Sequence, residues 1–207
     1  MTAGALPRRP GRAASRSRGG HRGARRGTAF QAAIIGRLIA CLSCVLLAAT
    51  AVRENFLFRG FEATLASHVV ALVTSMPAGP IPHTPTFWFT VAPHHEMGLQ
   101  ITPACTVVLM MTPFLIATAF LVWRRSSTVR PLVACAIAIA MLLVVNQLRI
   151  LAIIMFVLHM GFNGGFYWGH TLVGSLITIF GGSATLVMYV LIAVRRGTPG
   201  RARRFAH

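Results

Sequence analysis

The apolar positions of this chain come in long blocks, separated by short polar or basic segments. Ala32–Val52, Cys105–Trp123, Pro131–Met160 and Thr171–Val194 are each close to, or longer than, the roughly 20 residues that carry an α-helix across a membrane. Two weaker patterns lie between the first and second blocks. In Phe61–Met76 the apolar Leu65, Val69, Leu72 and Val73 recur at helical spacing among Glu62, Ser67 and His68, which predicts an amphipathic helix at the outer membrane surface. It is closed by Pro77, Gly79, Pro80 and Pro82. Thr86–Val91 is aromatic and β-branched, and with Met97–Thr102 across a polar turn it predicts a small hairpin outside the membrane. The expected fold is an all-α membrane protein of about four transmembrane helices, with a surface helix and an extracytoplasmic β-hairpin.

Charge orients these elements. All 20 basic residues are arginine, against three glutamates and no aspartate, for a net charge of +17. The arginines collect in a tail before the first block, in the short loop Arg124–Arg130 and in a tail after the last block. The positive-inside rule makes these three segments cytoplasmic. If residues 131–160 crossed twice, the basic C-terminal tail would face outward, so one crossing is expected, with both termini inside. Domain boundaries follow: a disordered basic tail over residues 1–29, a membrane-embedded domain over 30–195 and a second basic tail over 196–207. The long basic start without a clear cleavage site favours an uncleaved anchor over a signal peptide.

Composition also narrows the chemistry. Without aspartate, a Ser-His-Asp triad, an aspartic dyad and carboxylate-rich Mg²⁺ or Ca²⁺ sites are disfavoured. The basic charge serves topology, and no nucleic-acid partner is expected; membrane lipids are. His83, His94, His95 and Glu96 have ligand chemistry but no regular ligand spacing, so neither metal nor cofactor is expected. Cys41 and Cys44 form a CxxC inside the first span, where small apolar packing is the simpler role.

Three polar residues share one predicted depth. Cys105 opens the second span after Ile101-Thr102-Pro103-Ala104. Arg149 lies roughly 28 Å along its helix from Pro131, near the outer edge of a hydrocarbon core about 30 Å thick. His170 precedes the last span, after the turn Gly161–Gly165. A helix N-terminus and a neighbouring cation both activate a thiol, a histidine can shuttle its proton, and an arginine can hold an oxyanion or clamp a substrate. His159 competes with His170 for the proton-shuttle role, and Asn146, one turn from Arg149, could orient that side chain or cap local backbone.

Ala104-Cys105, Asn146-x-x-Arg149-Ile150 and His170-x-x-x-Gly174 on successive membrane helices resemble the exosortase/archaeosortase family, over roughly Phe58–Val194. The short chain is similar to a compact, actinobacterial form. Thr106 and Val107 depart from the family pattern, which often has a small residue and a glycine after the cysteine. The resemblance implies a membrane cysteine protease/transpeptidase that cleaves C-terminal sorting signals of secreted proteins at the outer face of a bacterial membrane. Such signals carry a short motif, a membrane helix and a basic cluster. It further implies Cys105 as nucleophile, His170 as general acid/base and Arg149 as oxyanion or substrate-positioning group, with transfer of the acyl group to water or an acceptor amine. The alternatives are a non-enzymatic membrane assembly or chaperone subunit, whose polar residues pack helices, and a small transporter, which the few midplane polar residues disfavour.

Overall fold

A computed structural model describes residues 20–92, 95–124 and 128–194. Five helices and one small sheet make up the fold: α1 (Gly20–Arg53), α2 (Asn55–Thr74), α3 (Val108–Arg124), α4 (Val129–Tyr167) and α5 (Gly174–Val194), with β1 (Ala78–Pro80), β2 (Thr86–Ala92) and β3 (His95–Gln100) between α2 and α3. Ala33–Arg53, Asn55–Thr74 and the run Val129–Val194 are long and apolar enough to cross a membrane, and α3 is a shorter apolar helix. α1 starts at Gly20, inside the segment expected to be a basic tail. The rest of that tail, the loop Arg125–Ser127 and the C-terminal tail lie outside the described residues.

α4 is the spine. Its Val129–Met160 portion is about 47 Å long at about 1.5 Å per residue, well beyond a hydrocarbon layer about 30 Å thick. Two cores form along it. The first half contributes Ala134, Ala138 and Leu142 to a cluster with Ala48 and Ala51 of α1, Met111 and Leu115 of α3, and Tyr189 and Ala193 of α5. The second half contributes Ile150, Ile153, Ile154 and Val157 to a cluster with Ala63, Ala66 and Val70 of α2 and Phe87 and Phe89 of β2. In the first core the Thr118 and Tyr189 hydroxyls bond each other at 2.8 Å, which links α3 to α5 where water cannot compete.

The expected hairpin is present and gains a third strand. β1 pairs antiparallel with β2, Gly79 facing Trp88, and β2 pairs antiparallel with β3. β1 escapes a propensity-based expectation because it is Ala-Gly-Pro. Its glycine is required by packing: a Cβ on Gly79 would stand 2.9 Å from the Trp88 indole nitrogen. Strand alternation buries Phe87 and Phe89, and on the paired strand it turns Met97, Leu99 and then Ile101 to the same face. β3 thus ends with Ile101 anchored in the second core, 2% exposed, just before Cys105.

The helix expected over Phe61–Met76 is α2, which begins earlier, at Asn55, and stops at Thr74, and its length and apolarity suffice to cross a membrane. It buries Glu62, Ala63, Ala66, Ser67 and Val70. The turn expected over Gly161–Gly165 shrinks to one residue. Gly161, at φ 76°, breaks α4, and helical structure resumes to Tyr167. From there α5 runs back along α4.

Candidate functional site

Cys105, Arg149 and His170 line one cavity of about 90 Å³, beside Leu99–Thr102, Asn146, Ile150, Ile153 and Phe166. That is room for more than one water-sized group. Cys105 sits at the end of a 3-10 turn, Pro103–Cys105, whose Cys105 N–H donates to the Thr102 carbonyl at 2.9 Å. This corrects the expectation that Cys105 belongs to the first turn of the membrane helix. Thr106 is extended, at φ −87° and ψ 148°, so the chain leaves the 3-10 turn before α3 starts at Val108. The helix terminus therefore lies beyond the thiol, and the cation beside the sulfur comes from α4. Arg149 Nη2 donates a long hydrogen bond to Cys105 Sγ, at 3.8 Å.

The placement of Arg149 depends on a glycine. A Cβ on Gly174 would stand 3.2 Å from Arg149 Nε and 3.4 Å from its Cγ, so the side chain passes across the bare Gly174 backbone on its way to the sulfur. The same Cβ would approach the Gly169 carbonyl oxygen to 2.9 Å. That oxygen accepts the Gly174 N–H, an i to i+5 bond closing the π-helical turn Trp168–Val173. Such turns insert a residue into a helix and are frequent at functional sites. This one carries His170. The imidazole is stacked on Phe166, centroids 5.2 Å apart and planes 5° from parallel, and Phe166 stacks in turn on Phe162 at 5.7 Å. Gly165 and Gly169 let this segment touch the α4 backbone at Phe156–Val157 and Ile153, the close approach typical of small residues between membrane helices.

Asn146 is 6% exposed and its Nδ2 has no hydrogen-bond partner. It neither orients Arg149 nor caps backbone; it faces the cavity with its amide nitrogen unused. Arg149 Nε is also buried without a partner. His159 does not line the cavity. Among the described residues no three His, Cys, Asp or Glu side chains are grouped as metal ligands, and His94 lies outside them. Cys41, Cys44 and Cys135 are free, and Cys44 and Cys135 are buried in the apolar interior.

The sequence pattern assigns no role to Phe166 or Arg59 and counts Glu62 only among the polar positions of an amphipathic stretch. Phe166 stands one helical turn from His170, a spacing that brings rings together.

These features define a multi-pass membrane protein with a thiol, a guanidinium and an imidazole in one small cavity. A model of the transmembrane exosortase family matches residues 87–189, from β2 through most of α5, and the chain belongs to that family. No curated protein and no solved structure matches the chain.

Proposed function

We propose that the protein is a membrane cysteine peptidase or transpeptidase that processes secreted proteins at their C-terminal sorting signals. The observation that carries this reading is the Arg149 N–H directed at Cys105 Sγ in a cavity that His170 also lines. A guanidinium contact to sulfur strengthens when the sulfur is a thiolate, the nucleophilic form.

The steps follow from these groups. His170 takes the Cys105 thiol proton, Sγ attacks the scissile carbonyl carbon, and the C–S bond forms as the carbonyl electrons move onto oxygen. Arg149 and the unused Asn146 amide are the donors available to that oxyanion. Collapse breaks the C–N bond, and His170 gives a proton to the leaving amine. The resulting thioester is attacked by an acceptor amine or by water, His170 takes the incoming proton, and Cys105 is released. The basic segments support cytoplasmic termini and an extracytoplasmic site. A substrate ending in a short motif, a membrane helix and a basic cluster would lie in the same orientation, its motif at the depth of Cys105.

The test is a secreted reporter with such a C-terminal tail, co-expressed with wild type, Cys105→Ala or Cys105→Ser. Wild type should process it and form a thioester adduct on Cys105. Both variants should insert normally and leave it uncut. Full processing by Cys105→Ala would favour a non-enzymatic assembly role.

A further inference from the structure

The loop Ile101–Val107 carries the thiol, and both of its ends are tied to one turn of α2. Arg59 Nη1 donates to the Ile101 carbonyl at 3.2 Å, and the Val107 N–H donates to Glu62 Oε1 at 2.8 Å. Positions three apart share a helix face, so one surface of α2 meets both ends of the loop. Glu62 is 1% exposed, whereas Glu54 and Glu96 are exposed. Val107, 2% exposed, accepts the first hydrogen bonds of α3, from Met110 and Met111, through its carbonyl. It is therefore the residue whose own N–H a capping box satisfies with an acid three positions later. Here that later position is Met110, and α3 has no acid in its first turn. Glu62 supplies the missing acceptor oxygen from another helix. The neighbouring Val108 N–H is taken by Thr106 Oγ1 at 3.3 Å.

A polar group this deeply buried is costly unless it is hydrogen-bonded, and Glu62 is bonded through Oε1 alone, its Oε2 having no partner. The geometry points to Arg59 and Glu62 as positioning residues that fix the Cys105 loop against Arg149, so that α2, which lies outside the segment matched by the family model, completes the site. This inference rests on Cys105 being the nucleophile.

The test is a double-mutant cycle read by the rate at which neutral iodoacetamide alkylates Cys105. It uses the full chain in membranes and a Cys41→Ala background; Cys44 and Cys135 are buried. Arg149→Leu alone should slow alkylation about tenfold, the order of a lost charge-assisted contact. In Glu62→Leu it should cause no further slowing, because the loop no longer holds the sulfur against Arg149. Glu62→Gln, which still accepts the Val107 N–H, should restore the wild-type response. Equal slowing by Arg149→Leu in the wild-type and Glu62→Leu backgrounds overturns the clamp, as does a Glu62→Gln protein that behaves like Glu62→Leu. If Glu62→Leu fails to insert, Arg59→Leu carries the same cycle at the other end of the loop. Hydrogen exchange on the unmodified chain gives a further reading: slow exchange at the Val107 amide supports the clamp, and free exchange overturns it. Alkylation reports the loop without substrate, so a failed clamp is distinguishable from a non-catalytic Cys105, which processing by Cys105→Ala would reveal.

Discussion

Gly174→Ala is the most discriminating single substitution. Its backbone, at φ −61° and ψ −38°, is ordinary helix that alanine adopts without strain. The whole effect must therefore come from the added methyl group. That methyl would stand 2.9 Å from the Gly169 carbonyl oxygen, 3.2 Å from Arg149 Nε and 3.4 Å from Arg149 Cγ. The carbonyl is fixed by its bond to the Gly174 N–H, so the arginine is the part that yields. Overpacking costs about 1–3 kcal/mol, and replacing helical glycine by alanine returns about 1 kcal/mol, leaving a net loss of about 0–2 kcal/mol. Reactivity should suffer more than stability. Displacing Arg149 lengthens a contact already at 3.8 Å, so alkylation should slow by up to the roughly tenfold expected of Arg149→Leu, and processing, which needs an aligned reacting geometry, by about 10- to 100-fold. The assay is Cys105 alkylation and reporter processing, with thermal unfolding in detergent alongside. Gly182→Ala is the control, because a Cβ there meets nothing within 4 Å; it should be neutral or slightly stabilising and leave Cys105 unchanged. Wild-type alkylation and processing by Gly174→Ala would refute the argument that Arg149 reaches the sulfur across Gly174.

Asn146→Ala should lower turnover about 100- to 1000-fold if its amide serves the oxyanion, while Cys105 alkylation, which forms no oxyanion, stays at the wild-type rate. Phe166→Ala removes the ring on which His170 is stacked at 5.2 Å; it should slow processing more than it lowers the unfolding temperature, with alkylation of Cys105 again the comparison. Tyr189→Phe deletes the buried bond to Thr118 and should destabilise the protein by about 0.5–2 kcal/mol, measured by thermal unfolding, with no effect on alkylation. Gly79→Ala forces a methyl group to within 2.9 Å of the Trp88 indole and should loosen β1 from β2, seen as faster exchange of the amides in that ladder.

Much of this molecule is written in one dimension. Membrane helices must be long and apolar because hydrocarbon offers their backbone no hydrogen bonds, so the blocks later seen as α1, α3, α4 and α5 stand out from hydropathy alone. Distance along a helix is likewise a property of sequence, and it suffices to set Cys105, Arg149 and His170 at one depth. Depth does not decide which way a side chain faces around a helix, nor which helices are neighbours. Those depend on packing: Gly165 and Gly169 set how closely the segment leading into α5 approaches the α4 backbone, the π-helical turn sets the rotation of His170, and Gly174 opens the path for Arg149. The start of α3 lies beyond the start of the apolar block for a related reason. Apolarity begins at Cys105, but the helix begins where its terminal amides are satisfied, and the acceptor for Val107 lies 45 positions away in sequence, on Glu62. The strand β1 is not legible in sequence because Ala-Gly-Pro has low strand propensity; in the fold it pairs with β2 and sets Gly79, without a side chain, against the Trp88 indole. Hydropathy and residue type are enough to find the membrane helices and the reactive groups they carry. Which of those groups touch follows from packing, because contact depends on backbone approach and helix rotation, which no single stretch of chain encodes.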